Sequence, residues 1–453
     1  MSVANTPSMK EEYPYGKIYA HYVLFLLFSL FLFDFLDRSV ITTLFGAIKL
    51  EWNLTDKQLG MLMSIVNLAL AILAIPTAVL IDYWNKKNMV AIMGLVWGLA
   101  SLACAFAPSF GILLILRFII GAGEAGYNPG ANAILKCYFP PRKLNGILGF
   151  MQSGASFGVV AGMFLGGFIV AHWSWRHALG VVAVPGLILA VLVFFIKEPM
   201  RQVMTQSSAT QNRPPFLVAC KQMFSNPAML CVYVAVACGL LFTQCLTSWM
   251  PSYYARMEGI GPQAAASKAA MLLILKAVGA ILGGVIADRA AKRWVNGHLI
   301  CAGIYMICFA AIFSLGFKFV SNENSFIVMA LGSLFAGSMF GPTYNTVMQL
   351  SPKGCEATAI GFQIIIQNLF GMGLSGILSG TLSDHYKALY MNGTYKIDEA
   401  VLHVNGGNIE FASVAMGLKS ALAAMSLAPL LAAVLYFIAA HYYRKYYSVK
   451  NPA

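Results

Sequence analysis

Residues 18–46 read IYAHYVLFLLFSLFLFDFLDRSVITTLFG. A helix needs about 20 mostly apolar residues to cross the hydrocarbon core of a bilayer, and this run is longer than that. It is too long for the core of a cleavable signal, and residues 1–16 before it are polar, so it is expected to stay in the protein as a membrane span. Its apolar residues continue without the period-two alternation of a barrel strand. Only a helix then satisfies its backbone hydrogen bonds in lipid. Asp34, Asp37 and Arg38 lie inside the run, where charge is costly and points to function.

Eleven further stretches of the same kind follow, at 57–82, 89–107, 109–137, 143–171, 179–196, 228–255, 265–288, 297–318, 324–349, 357–383 and 413–441. Composition agrees: 59% of the residues are hydrophobic and 10% charged, against about 25% charged in a soluble domain. So little polar surface cannot coat a water-soluble body of this length. The formal charge of +13 does not imply nucleic-acid binding, because the basic residues fall in short groups between apolar stretches. With the N-terminus inside, most of them gather on the cytoplasmic side, including Lys17, Lys86, Lys87, Lys136, Lys143, Lys197, Arg289, Lys292, Arg293 and Lys445. That asymmetry favours both termini in the cytoplasm of a plasma or inner membrane.

The longest polar inner segment, 198–224, carries Pro199, Pro214 and Pro215 and divides the spans evenly. It reads as a linker between an N-terminal six-helix bundle (1–197) and a C-terminal one (225–453). A second polar segment, 384–412, is assigned to the outer side. The halves echo one another. Tyr127-Asn128 is matched by Tyr344-Asn345, and Pro141-Arg142 with Gly149-Phe150 by Pro352-Lys353 with Gly361-Phe362. An internal repeat of this kind implies two bundles facing one another, with a substrate path between them. Glycines at 154, 158, 162 and 166, and at 279 and 283, recur every four residues, which allows close helix approach and suggests a moving interface.

Arg117 and Glu124 lie in the fourth span two helical turns apart, so they share a face. A buried carboxylate that can change protonation suits a proton-coupled carrier, and the planar fork of an arginine suits a carboxylate or phosphate. The clustering of Asp37, Arg38, Arg117 and Glu124 on two helices favours that use over a permanent structural ion pair. Asp34 contributes to the same site or faces an aqueous pocket. Lys276, within the eighth span, opposes an anionic substrate or neutralises a carboxylate. Asn128, Gln244, Trp249, Tyr344, Gln363, Gln367 and Asn368 are further polar or amphipathic residues within spans, available to line a cavity or to bond helix to helix. The histidines lie at or beyond span ends with no GxSxG-type or HxxxH-type arrangement, so nothing suggests an enzyme, a metal or a cofactor. No Gly-x-x-x-x-Gly-Lys-Ser/Thr loop suggests drive by a nucleotide. Nothing in the sequence requires more than a monomer.

Gly284-x-x-x-Asp288-Arg289-Ala290-Ala291-Lys292-Arg293 resembles the inner-loop signature of the major facilitator superfamily, and Ala78-x-x-x-Asp82-Tyr83-Trp84-Asn85-Lys86-Lys87 is a degraded first copy. The resemblance implies an all-α polytopic membrane protein, with twelve transmembrane helices in two six-helix bundles. Asp82, Gly284, Asp288, Arg289 and Arg293 would take part in gating. Asp37-Arg38 with Arg117 and Gly121-Ala122-Gly123-Glu124-Ala125 resembles two member families, the spinster-like carriers and the anion:cation symporters. Trp249-Met250-Pro251-Ser252-Tyr253-Tyr254 and Gly341-Pro342-Thr343-Tyr344 look spinster-like, whereas Phe139-Pro140-Pro141-Arg142 and Trp175-Arg176 fit the symporter pattern equally well. By the spinster resemblance Asp37 and Glu124 carry protons, Arg38 and Arg117 manage charge or bind an anionic head, and the substrate is an anionic or zwitterionic amphiphile such as a lysophospholipid. By the other, the substrate is a sugar acid or related carboxylate taken up with protons.

Overall fold

The first helix, α1 (Lys17–Trp52), ends where Asn53 turns into the left-handed region at φ 50°. The computed structural model describes residues 13–83, 85–197, 216–319, 322–352 and 355–450. α2 (Asp56–Tyr83), α3 (Lys86–Cys104), α4 (Phe110–Glu124), α5 (Tyr127–Tyr138), α6 (Pro141–His172) and α7 (Trp175–Phe194) complete the first half. α8 (Phe216–Ser225) precedes the second half, which holds α9 (Pro227–Glu258), α10 (Pro262–Ala291), α11 (Gly297–Phe319), α12 (Asn322–Gly337) and α13 (Phe340–Leu350). There follow α14 (Glu356–Ile366), a π-helical turn (Gln367–Met372), α15 (Gly373–Met391), α16 (Glu399–Val404), α17 (Ile409–Met425) and α18 (Ala428–Lys450). Local chemistry sets several starts. Asn85, Asn226 and Asn408 cap α3, α9 and α17 by accepting backbone N–H bonds, and Pro141, Pro227 and Pro262 open α6, α9 and α10.

Twelve helical segments among the described residues are long and apolar enough to cross a membrane, and the chain is an integral membrane protein. The expectation of continuous spans needs correction in four places, one of them in the twelfth span, which breaks between Met425 and Ala428. The fourth span breaks between Glu124 and Tyr127, and the tenth between Gly337 and Phe340, so the two halves share a discontinuous helix at matching positions. The eleventh span widens into the π turn at Gln367–Met372. The outer segment 384–412 is largely helical. α15 continues to Met391, and along this stretch Lys387 is bound to Glu410 of α17 at 3.0 Å. Polarity therefore did not mark where the helix ends. Of the expected linker, 198–215 lies outside the described residues and 216–224 is part of α8.

Within the first half α1 packs along α6, and α3 along α4 and α7; within the second, α9 and α11 pack on α18, and α15 on α17. The halves meet chiefly through α2 against α15 and α6 against α10. These contacts concentrate at the end of the molecule that holds Trp52 and Asp56. A Cβ on Gly60 would fall 1.9 Å from the Gly376 carbonyl oxygen, and one on Gly380 would fall 2.3 Å from that of Asp56. At the opposite end α5 and α13, the lower pieces of the two broken spans, pack within their own halves. Among the described residues, the halves are closed on one another at the Trp52 end and parted at the Lys17 end. The glycine rows read as a moving interface do something else. Gly158 and Gly162 press on α1, and Gly279 and Gly283 on α12, all inside one half. The glycines between the halves include Gly60, Gly376 and Gly380, with Gly167 against α10 and Gly373 against Leu68 of α2; Gly376 and Gly380 keep the same four-residue spacing as the rows inside each half, so spacing does not tell the two kinds of seam apart.

Candidate substrate and ion pathway

The packing of α1 on α4's neighbours brings the buried charges together crosswise. Adjacent Asp37 and Arg38 of α1 meet Arg117 and Glu124 of α4. Arg38 Nη2 stands 2.8 Å from Glu124 Oε2, and its Nε donates to Asp34 at 2.9 Å, one turn back on α1. Arg117 Nη1 stands 3.6 Å from Asp37 Oδ2, while Ser101 of α3 donates to Asp37 Oδ1 at 2.6 Å. Asp37 and Arg117 are at most 1% exposed. Taken together the cluster holds three carboxylates and two guanidinium groups. Its valences are not all filled: Glu124 Oε1 and Arg117 Nε and Nη2 are buried with no hydrogen-bond partner among the described residues. A small cavity lined by Asp34, Trp97, Glu124 and Tyr127 abuts the acids.

Arg38 and Arg117 also line a larger cavity between the halves, with Asn67 of α2, Gln244 and Thr247 of α9, and Met372 of the π turn. Its empty volume is ≈ 560 Å³. Thr247 is shared with a neighbouring compartment that reaches Lys276 of α10. Lys276 has no acid within ion-pair distance among the described residues.

Other expected site residues are placed elsewhere. Asn128 accepts from Asn132 at 2.9 Å and Gln152 at 3.1 Å, on the parted side of the cluster. Tyr344 donates to Gln367 at 3.5 Å in a separate polar group of the second half, where Gln363 is buried with its amide unpartnered among the described residues. Asn368 is bonded to the Ile364 carbonyl of its own helix. Trp249 is fully buried at the closed end; its Nε1 donates to Ser379 at 2.7 Å and its ring lies 5.2 Å from that of Phe45. Asp288, Arg289 and Arg293 are exposed and form no salt bridge among the described residues, though Asp288 lies near enough to His298 to act on it electrostatically, and Gly284 faces open space. The side chain of Asp82 lies outside the described residues.

One group escaped the sequence reading. Asp56, the first residue of α2, is 1% exposed and binds both halves. Arg256 of α9 donates to it twice, at 2.7 and 2.9 Å, Ser383 of α15 at 2.6 Å, and Lys49 of α1 at 2.5 Å. In return Asp384 of α15 accepts the backbone N–H groups of Asp56 and Lys57, at 3.0 and 2.8 Å, at the start of α2. An acid at a helix start is ordinarily a cap. Nothing in the sequence joins it to an arginine two hundred residues away.

Two bundles with a charged cleft between them, parted at one end and latched at the other, define a membrane transporter rather than an enzyme. The chain belongs to the Major Facilitator Superfamily, whose family model matches residues 27–388. The hexuronate transporter of Bacillus subtilis is 25% identical over 87% of this chain and 93% of its own length. The 4-hydroxybenzoate transporter PcaK of Pseudomonas putida is 25% identical over 80% of this chain and 84% of its own. Among solved structures, that of a bacterial homolog to the human lysosomal transporter Spinster, inward-facing and unoccupied, has the same fold, with a TM-score of 0.83 at 23% identity over 95% of this chain and 98% of that one.

Proposed function

We propose that this transporter moves a small organic anion together with a proton by alternating access. The observation that carries the reading is the charge balance of the cleft. Three acids against two arginines leave the α1–α4 cluster one negative charge in excess when all are ionised, and Lys276 across the cavity supplies one positive charge. A monoanion and a proton entering together preserve that neutrality, whereas either alone leaves a net charge within the membrane, where it is costly. Glu124 is the proton site we favour. Its Oε1 has no donor, and Arg38 keeps Asp34 as a partner when Glu124 is neutral. The relatives named for hexuronate and 4-hydroxybenzoate support an anionic substrate, and likeness to the Spinster homolog supports the fold alone.

Membrane orientation follows from the basic residues around the parted end, among them Lys17, Lys86, Lys197 and Arg289. The positive-inside tendency puts that end and both termini in the cytoplasm, which makes the state described inward-facing. The test uses protein in proteoliposomes with an imposed pH gradient and an internal pH dye. Proton movement should accompany 4-hydroxybenzoate or a hexuronate, and Glu124→Gln should abolish it while retaining anion exchange. Proton movement on adding a lysophospholipid and with neither carboxylate would overturn the reading in favour of an amphiphile carrier. Undiminished gradient-driven accumulation in Glu124→Gln would remove Glu124 from the coupling.

A further inference from the structure

The compartment around Lys276 restricts which anion fits, an inference that rests on the organic-anion reading above. Both cavity arginines already face carboxylates, whereas the Lys276 ammonium faces none among the described residues. An entering carboxylate therefore gains most at Lys276. The hydroxyl groups of that compartment are already committed as donors: Thr243 to the Gly239 carbonyl at 3.0 Å, Thr247 to that of Thr243 at 3.0 Å, and Ser333 to that of Met329 at 2.8 Å. What remains of the wall is thioether and aliphatic, including Met250 and Leu272. Met163, from α6 of the opposite half, closes it.

We infer that Lys276 is the carboxylate-binding residue of the carrier and that its substrate is a compact monocarboxylate with an apolar body rather than a polyhydroxylated sugar acid. A ring bearing several hydroxyls would bury donors and acceptors beside a wall whose one charged group is the Lys276 ammonium and whose remainder is largely apolar, and each group left unpaired weakens binding. An apolar body loses nothing there and gains contact with Met163, so a bound substrate touches both halves and its occupancy is felt at the α6–α10 contact.

The experiment compares benzoate with glucuronate on detergent-purified full-length protein, by calorimetric titration and by thermal unfolding, in the native protein and in Lys276→Met and Lys276→Arg. Benzoate should bind more tightly than glucuronate. Lys276→Met should weaken benzoate by roughly ten- to a hundredfold, the loss expected of one charged hydrogen bond, and Lys276→Arg should restore part of it. Lys276→Met should also unfold at a higher temperature than the native protein without ligand, since it removes a half-buried charge that has no acidic partner among the described residues. A lysine with a merely structural role would lower it. Tighter binding of glucuronate, or benzoate binding untouched in Lys276→Met, overturns this inference and leaves organic-anion transport standing. Binding of a lysophospholipid with neither carboxylate bound overturns both.

Discussion

Replacing Asp56 by asparagine should release the closed end. The carboxylate holds Arg256 through two charged hydrogen bonds, and Lys49 and Ser383 through one each, in a site 1% exposed. Asparagine keeps the volume and the start of α2 but takes away the carboxylate that bridges Lys49 and Arg256, leaving Asp384 as the remaining acid of the cluster. Removing one partner of a buried pair costs about 3–5 kcal/mol. Because Arg256 and Ser383 belong to the opposite half, that cost falls on the state with the Trp52 end closed and is relieved when the halves part there. At 1.4 kcal/mol per factor of ten, the equilibrium should move by about two to three and a half powers of ten towards opening at that end. The assay is labelling of Thr42→Cys, which lines the cavity, in a background cleared of the nine native cysteines. A membrane-impermeant maleimide is added from the Trp52 side. Labelling should be slow with Asp56 and at least about a hundredfold faster with Asp56→Asn. The further change Arg256→Gln should slow it again by removing the stranded charge. Labelling that stays slow in a folded Asp56→Asn protein would refute the assignment of this cluster as the latch.

The remaining expectations separate contacts within a half from contacts between halves. Gly158→Ala puts a methyl 2.3 Å from the Leu32 carbonyl oxygen inside the first half, so about 1–3 kcal/mol of overpacking should appear as a lower unfolding temperature. Gly60→Ala clashes with Gly376 across the halves, and a similar cost should appear instead as faster labelling of Thr42→Cys from the Trp52 side. Asp37→Asn should be poorly folded, because Arg117 is 1% exposed and has no other acid within ion-pair distance among the described residues; its unfolding temperature should fall well below that of Glu124→Gln, in which Arg38 keeps Asp34. Equal unfolding temperatures for those two variants would contradict the pairing described.

The sequence by itself determined the twelve spans, the two halves, the superfamily and the four charges of α1 and α4. The spans and the charges rest on properties that the bilayer imposes locally: enough apolar length to cross it, no backbone group left unpaired, and no charge buried without a purpose; the halves rest on the internal repeat, and the superfamily on a motif resemblance. The loop motif Gly284–Arg293 and the Asp37-Arg38 pair were visible because they are short and contiguous. Tertiary structure alone decided which charge meets which. Adjacent residues of α1 point to different partners on α4, and their pairing depends on how the helices cross, which a helical repeat does not encode. It alone showed that the glycine row of α6 packs on α1 inside the first half and that Gly60, Gly376 and Gly380 lie where the two halves meet. It alone joined Asp56 to Arg256 and Asp384 to the start of α2. Such contacts are made between halves far apart in the chain, where each residue taken singly reads as an ordinary helix end, and only the docking of the two bundles brings them within reach.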